Sequence, residues 1–501
     1  RRGVRRRASS SAEGSFYSGE CDLSRIALRP GNGLAHAGEL DMEIVFFFLE
    51  VVQLEVLLAS LDLLEQGNRI MRGDEDHCFA HVEGAECAVD GAVANGVRNF
   101  GGIQSWDGVW LIGIGDGQLH SEWSFLKGCE FRSVSNISTI KPVQNNSVAH
   151  RLIFLAFAGL SLLVGLVAGA TLLGLNVTPG ASFAADHGPL MVFGFVGGAI
   201  GLERTVAVRT SWAWAGPACH VAGVMGILAG LPRAVPAVCF AASFLVLGFI
   251  YATIYRRQAS LAILVQAAGV IGGVAAAALW AMGPGFAAAM PLCVLYAVAT
   301  IIGERMELAR VTMAGTRAEN HLTLLVLGLA AASVIYVLAP AVGYRAMGVV
   351  LIAIAAATAR VDVAKNLVRS HGLPRYSAAC MLAGYGWLAL GGYLWLLHGQ
   401  STGFAYDAAV HAIFLGFVMS MIFAHAPIIF TSVIRRRLPY RPVLYVPVAL
   451  LHGGLALRIL ADCAEHTSAL HTGGVVTIIA VLVFLACGIA LTGKEARRAH
   501  S

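Results

Sequence analysis

From residue 148 onward, long apolar runs alternate with short polar segments that are often basic. Each run is close to the roughly 20 residues that an α-helix needs to cross the hydrocarbon core of a bilayer. The pattern predicts twelve transmembrane helices. They are expected at about residues 152–175, 187–208, 212–231, 234–255, 260–282, 286–303, 321–339, 344–360, 377–397, 407–430, 442–460 and 472–491.

The composition supports an all-α polytopic membrane protein in contact with the lipid bilayer. The 501 residues are 57% hydrophobic and 13% charged, whereas soluble domains carry roughly 25% charge. The net charge of +5 does not indicate a nucleic-acid partner, because the basic residues lie in short loops between apolar runs. The ten cysteines show no CxxC spacing, so neither a disulfide framework nor a zinc site is expected.

The distribution of positive charge predicts the orientation of the helices. Arginine and lysine are concentrated in the even-numbered loops and the C-terminal tail, whereas the odd-numbered loops hold only Arg233, Arg345 and Arg458. Loops rich in Lys and Arg face the cytoplasm. Both ends of the twelve-span unit are therefore expected on the cytoplasmic side of a bacterial inner membrane.

Residues 1–147 do not share this pattern. They begin with RRGVRRR, which no apolar core of a signal peptide follows. Their one apolar stretch, Ile44 to Leu64, carries Glu50, Glu55 and Asp62 and is a poor span, although it could lie on the membrane surface as an amphipathic helix. We expect a poorly ordered extension, read through from upstream sequence, before the membrane domain of residues 148–501. A small soluble domain is the alternative.

Two histidines are predicted at the same depth near the outer face of the membrane. His187 and His411 lie within about one turn of the outer ends of the second and tenth spans. Asp186 and Asp407 are well placed to cap these helices, and Asp407 is four residues before His411 on the same face. His425 is fourteen residues after His411, about 21 Å along the axis and within about 40° of the same face. His411 and His425 therefore cannot bind one metal ion.

Two imidazoles on facing helices could hold a haem b as its axial ligands. Small residues near them would permit close approach of the helices, namely Gly194, Gly197, Gly198 and Gly416. The alternative is that each histidine is an interfacial or hydrogen-bonded residue without a cofactor. Weaker candidates for metal ligation, with copper as a candidate metal, are His425, His452 and His471, and weaker still His220 and His398. His321 and His466 are expected to face water.

Two stretches resemble known families. HGPLMVFGF, which begins at His187, resembles the HGxxMxFF stretch of haem–copper oxidase subunit I, in which the histidine ligates the low-spin haem. HAIFLGFVMSMIF, RRRLPY and LLHGGLALRILA are similar to the NnrS family, twelve-span bacterial proteins containing haem and copper and associated with denitrification and nitric-oxide stress. The resemblance implies a haem–copper-oxidase-like bundle, haem b between His187 and His411, copper, and a role in nitric-oxide response or electron transfer. A periplasmic or quinone electron donor would then be a partner.

Several departures from those families argue against an enzyme. A binuclear centre needs a histidine in the sixth span and a pair in the seventh, but the sixth has only Tyr296 and the seventh only His321 at its edge. The tenth span lacks the HxH pair that would serve two haems, and the second span has HG where NnrS has HxH. One haem, with or without a loosely held copper, is the most that the sequence supports.

Charged residues close the inner ends of the second and sixth spans. They are Glu203 and Arg204, and then Glu304, Arg305 and Glu307. The favoured interpretation is that these side chains snorkel to the headgroups. Pairing between the two helices, or a path that supplies protons, is the alternative.

Two other function classes remain open from the sequence. Twelve spans with cytoplasmic ends also describe many secondary transporters. Charge at the centre of the bilayer is nearly absent, however, which argues against ion-coupled transport of a small solute. The third class is an assembly factor that delivers a metal or cofactor through the outer histidines.

Overall fold

The computed structural model describes residues 104–106, 109–111, 146–175, 177, 180–434 and 438–498. Two short strands, β1 (Gln104–Trp106) and β2 (Val109–Leu111), form an antiparallel pair. Apart from these strands and the first helical residues, the predicted extension 1–147 lies outside the described residues, as does Ile44 to Leu64. The expectations for that segment stay predictions.

All twelve apolar runs form helices, which confirms the all-α polytopic membrane class. Two helices, α2 and α10, are composite and contain a π-helical segment. The helices are α1 (Asn146–Leu172), α2 (residues 187–208), α3 (Ala215–Leu228), α4 (Ala234–Arg257), α5 (Leu261–Met282), α6 (Phe286–Leu308), α7 (Arg317–Leu338), α8 (Pro340–Val361), α9 (Leu373–His398), α10 (residues 403–434), α11 (Tyr445–Cys463) and α12 (Thr467–Arg498).

The third helix is the exception in length. Eleven of the described helices are long and apolar enough to cross a membrane, but α3 has 14 residues, which correspond to about 21 Å against a core of about 30 Å. A 3-10 turn, Ser211–Trp214, precedes α3 and extends it at the end that the charge pattern predicts to face the cytoplasm. The ends predicted to face the cytoplasm are called inner below, and the opposite ends outer. Further 3-10 turns are Gly180–Asp186 and Pro442–Leu444, and short helices are Arg310–Met313 and Ala364–Leu367.

The helices differ sharply in how much of their surface other helices cover. In the most apolar 18 residues of α6, 83% of the residues are buried, and the corresponding shares for α10 and α2 are 72% and 61%. In α1, α4 and α7 the share is only 33% each. Large apolar side chains such as Ile271 and Leu338 are exposed, as expected for helices that face lipid. The helices that carry the candidate site, α2 and α10, therefore belong to the interior of the bundle.

Consecutive helices pack against one another, and α12 returns to α1. The interior helix α10 contacts α1, α2 and α6. On the other side of α2, Phe193 packs against the rings of Phe240, Phe244 and Phe286 with centroid separations of 5.3–5.6 Å. These aromatic contacts join α2 to α4 and α6, so the position of α2 is fixed on several sides.

Both composite helices carry their π-helical segment just after the candidate histidine. The segment Leu190–Gly197 begins three residues after His187, and Ala412–Val418 begins directly after His411. A π-helical turn closes i→i+5 hydrogen bonds, so one extra residue shifts the following positions by about 100° relative to an α-helix. The prediction that His411 and His425 share a face assumed 3.6 residues per turn throughout, and that assumption is wrong.

Candidate functional site

His187 is anchored to the first helix through one ring nitrogen. Its Nδ1 donates a hydrogen bond to the backbone carbonyl of Gly165 in α1 over 2.8 Å. A Cβ at Gly169 would lie 2.9 Å from Cε1 of His187, so the absence of a side chain there admits the ring. Because a carbonyl can only accept, Nδ1 carries the proton. Nε2 therefore carries the lone pair, and none of the described residues bonds to it.

His411 repeats this arrangement within α10. Its Nδ1 lies 2.9 Å from the carbonyl oxygen of Asp407 and 3.2 Å from Oδ1 of the same residue. The prediction that Asp407 and His411 share a helix face is confirmed. Nε2 of His411 also has no hydrogen bond from the described residues. His411, Asp407 and Arg458 are close enough for their charges to act on His187, and these four residues are called the outer network below. That the two imidazole rings meet across one cofactor stays a prediction.

Asp407 connects the tenth helix to the eleventh. Arg458 in α11 binds it with two hydrogen bonds, Nε to Oδ2 at 2.7 Å and Nη2 to Oδ1 at 2.8 Å. The predicted capping role is wrong for Asp407, because α10 begins at Gly403 with Thr402 before it. Asp186 does precede the first α-helical turn of α2, but its side chain makes no capping hydrogen bond.

Asp462 is a fifth member of the outer network, and it was not among the residues singled out from the sequence. It follows Arg458 by one helical turn and is 3% exposed. Neither oxygen accepts a hydrogen bond from a donor among the described residues, but the carboxyl lies within hydrogen-bonding distance of the Asp407 carboxylate. One feature of the sequence could have identified Asp462: an arginine and an aspartate lie four residues apart in the apolar run ALRILADC. Ionisable residues within a span are rare and usually functional.

At the inner ends, Arg204 joins α2 to α6. Its Nη2 lies 2.6 Å from Glu304 Oε1 and its Nη1 lies 3.0 Å from Glu307 Oε2. Gln266 in α5 donates to the same Glu307 oxygen over 3.0 Å. Arg204 is buried, so the snorkelling interpretation is wrong for this residue and the alternative of pairing between the helices is confirmed.

Arg305 forms a second inner ion pair, with a residue that the sequence analysis did not single out. Its Nε and Nη2 bind the two carboxylate oxygens of Asp362 just beyond α8, each at 3.0 Å. Tyr385 donates to Asp362 Oδ2 over 2.6 Å, and the backbone N–H of Ala364 donates to Oδ1. Burial would raise the pKa of the Asp362 carboxyl, but the bonds from Arg305 and Tyr385 outweigh it and hold that pKa below its usual range. Snorkelling is therefore wrong for Arg305 as well.

The weaker metal-ligand candidates lie in three different environments. His425 has both ring nitrogens engaged, Nδ1 with the Met421 carbonyl at 2.7 Å and Nε2 with Arg305 Nη1 at 3.1 Å. His452 accepts a hydrogen bond from Trp387 Nε1 at its Nδ1, and His471 is exposed near the outer end of α12. The described part of the chain holds no group of three or more His, Cys, Asp or Glu side chains placed for a metal ion. Copper binding stays a prediction.

His220 supports the π-helical segment of α2. Its Nε2 donates to the carbonyl of Gly194 over 2.6 Å, and its ring lies against Gly198 where a Cβ would collide with it. A carbonyl in a π-helical segment lies outside the regular i→i+4 ladder, so the imidazole gives this buried acceptor a partner.

We expect His220→Ala to lower the free energy of unfolding by about 1–3 kcal/mol, the cost of leaving a buried acceptor without its donor. Unfolding in mixed micelles, followed by tryptophan fluorescence, measures this. His321→Ala is the matched control, because His321 is exposed and its loss should change stability by less than about 0.5 kcal/mol. Equal stability of the two variants would contradict the structural role of His220.

A cavity of about 320 Å³ lies toward the inner side of the bundle. Its walls are formed mainly by apolar side chains of α1, α2, α6, α10 and α12. Its polar lining consists of Glu203, Glu304, Arg305 and His425. Neither His187 nor His411 lines this inner cavity, so the two candidate sites are separate places in the bundle.

Comparison with known proteins gives a family but no function. A family model described as "Domain of unknown function (DUF8744)" matches residues 151–493, which is more than half of the chain. No curated protein and no solved structure matches the chain.

Proposed function

Since the chain belongs to the DUF8744 family, a domain of unknown function, we propose from the outer network that it is a haem b-binding membrane protein in which His187 and His411 would hold the haem. Its role would be electron transfer or nitric-oxide response in a bacterial inner membrane, with both ends of the membrane domain in the cytoplasm. The sequence resemblance to NnrS and haem–copper oxidases motivates the role.

The observation that carries the proposal is the hydrogen bond that each of the two histidines makes at Nδ1. Each imidazole donates its Nδ1 proton to a backbone carbonyl, Gly165 for His187 and Asp407 for His411. Each therefore offers Nε2 as a neutral nitrogen donor, the form in which histidine binds iron. A hydrogen bond at the other ring nitrogen is also how metal-ligating histidines are normally oriented. The donor set thus fits a bis-histidine haem.

The residues around the pair would strengthen His411 as a ligand. The Asp407 carboxylate beside Nδ1 of His411 increases the basicity of the imidazole. Arg458 holds both oxygens of that carboxylate with two hydrogen bonds, so its orientation is fixed. The π-helical segments begin next to both histidines, and such segments are frequent at functional sites. A bound haem would supply a one-electron redox couple; the chain would supply its position and exclude water.

Absorption spectra of purified protein test the proposal. Expressed in haem-replete cells, the wild type is expected to show a reduced-minus-oxidised spectrum of low-spin haem b. His187→Ala and His411→Ala should each reduce the haem content of purified, monodisperse protein at least tenfold. His321→Ala is the control and should keep the wild-type spectrum. Haem content that is unchanged in both ligand variants would refute the assignment.

One observation favours a second candidate, a proton-coupled transporter of a small solute. The buried Asp462 carboxyl accepts no hydrogen bond from a donor among the described residues and lies beside the Asp407 carboxylate, and a carboxyl in such a place in a membrane can bind and release a proton. In that case the purified protein would be colourless and uptake into proteoliposomes would depend on a proton gradient. Asp462→Asn would then abolish uptake. The haem proposal predicts neither proton-dependent uptake nor its loss in this variant.

A further inference from the structure

We propose that a recess at the inner end of α4 binds one anionic phospholipid, with the Arg256 guanidinium on the phosphate and an acyl chain along Phe249. The recess has a volume of about 250 Å³ and is lined by Trp212, Phe249, Ala252, Thr253 and Arg256. It shares no residue with the outer network or with the inner cavity. Lipid binding there does not depend on haem, so failure of one proposal leaves the other testable.

Four of the lining residues form one stripe along α4. Phe249, Ala252, Thr253 and Arg256 are spaced i, i+3, i+4 and i+7, which is one face of an α-helix. From Phe249 to Arg256 the stripe is about 10.5 Å long, with the aromatic ring deeper in the membrane and the guanidinium toward the inner surface. The acyl chain and the headgroup of a phospholipid follow each other in the same order.

The apolar part of the recess is open to the bilayer. Phe249 is 65% exposed and Trp212 is 42% exposed. Trp212 belongs to the 3-10 turn Ser211–Trp214, which packs against α4. Tryptophan is enriched at the membrane–water interface, where its ring lies at the level of the headgroups. A lipid can therefore reach the recess from the membrane without opening the helix bundle.

The polar part of the recess offers hydrogen-bond donors and no carboxylate. Arg256 is exposed and makes no hydrogen bond or ion pair with the described residues. The indole N–H of Trp212 has no acceptor among them either, and the Thr253 hydroxyl already donates to the carbonyl of Phe249. Open donors, one of them charged, favour an anionic ligand. A phosphate suits arginine because the guanidinium can donate to two of its oxygens.

The charge around the recess favours the same ligand. Arg257 lies beside Arg256 and donates to the carbonyl of Val208 at the end of α2, and Arg209 comes next in the chain. Residues 205–303 contain no Asp or Glu, so α3, α4 and α5 carry no carboxylate side chain that would compete. Basic pockets between membrane helices at the cytoplasmic side bind anionic headgroups. A zwitterionic lipid carries its own ammonium group and gains less from this charge.

Native mass spectrometry of the full chain tests the proposal. A delipidated preparation is titrated with dioleoylphosphatidylglycerol or dioleoylphosphatidylcholine, and we expect the first phosphatidylglycerol to bind about tenfold more tightly than the first phosphatidylcholine. Arg256→Gln should weaken phosphatidylglycerol binding about tenfold, because a charge-assisted hydrogen bond becomes a neutral one. Arg360→Gln is the matched control, since Arg360 is exposed at the inner end of α8 and does not line the recess. It should bind like wild type.

A second pair of variants tests the place of binding. Ala252 lines the recess and is exposed, so Ala252→Phe should fold, fill the recess and remove most of the phosphatidylglycerol binding. Ala234→Phe, at the other end of the same helix, should bind like wild type. Unchanged binding in Ala252→Phe, or equal affinity of the wild type for both lipids, would overturn the proposal. An equal loss in Arg256→Gln and Arg360→Gln would overturn it too, as attraction by surface charge alone. Oleate that displaces phosphatidylglycerol and depends on Arg256 would replace the phospholipid by a fatty acid.

Discussion

Replacing Arg305 with alanine is expected to lower the free energy of unfolding by about 3–5 kcal/mol. The substitution leaves the Asp362 carboxylate buried with only Tyr385 and the backbone N–H of Ala364 as partners. Removing one partner of a buried ion pair is costly because the other charge stays in a medium of low polarity. It also takes the donor away from Nε2 of His425. Equilibrium unfolding in mixed micelles, followed by tryptophan fluorescence, gives the free energy.

Two further variants distinguish the effect of breaking the ion pair on stability from the effect of removing a large side chain. Arg345→Ala removes an exposed arginine whose hydrogen bond goes to a carbonyl of its own helix, and should cost less than about 0.5 kcal/mol. The double variant Arg305→Met with Asp362→Leu removes both charges, and should be more stable than Arg305→Ala. A double variant as unstable as Arg305→Ala would mean that packing, and not charge, sets the effect.

Replacing Gly348 with leucine is the second substitution with a large expected effect. A Cβ at Gly348 would lie 2.5 Å from the carbonyl oxygen of Gly392, and a Cβ at Gly392 would lie 2.8 Å from that of Gly348. The backbones of α8 and α9 therefore touch at this pair, as in other membrane helices that pack through small residues. Because a backbone carbonyl cannot move aside cheaply, we expect Gly348→Leu to cost about 3 kcal/mol or more.

The control for this substitution is Gly453→Leu in α11. A Cβ at Gly453 meets nothing within 4 Å, so the added side chain enters open space and the stability should change little. The free energies come from the same unfolding measurement. If Gly348→Leu unfolds at the wild-type denaturant concentration, the close contact of α8 and α9 does not exist in the membrane.

The apolar pattern was enough to predict the class and the extent of most helices, because the thickness of the bilayer fixes the length of a span. Even the short α3 was predicted as a helical run, although it ends before residue 231. What the pattern could not show is a change in helical periodicity. The segments Leu190–Gly197 and Ala412–Val418 look like any other apolar stretch, yet they change which face carries each following residue.

Only some of the partners in the polar networks could be predicted from the sequence. Pairing of Arg204 with Glu304 could be anticipated, because both lie at the inner ends of their spans. The partners Asp362 and Arg458 were not recognised as partners: Asp362 lies just beyond the end of a span, and Arg458 was counted only among the loop charges. A partner some 50 or more positions away is determined by tertiary packing, about which local periodicity says nothing.

The tenth helix takes part in the polar contacts at both membrane surfaces, through Asp407 and His411 on one side and His425 on the other. Turning this helix about its own axis as a rigid rod would break the bonds at the two surfaces together. The π-helical segment Ala412–Val418 lies between them, so the two sets of contacts are joined by a stretch with the i→i+5 hydrogen-bond pattern and not by a uniform α-helix. The rotation of the helix at one surface therefore does not fix its rotation at the other as it would in a regular α-helix.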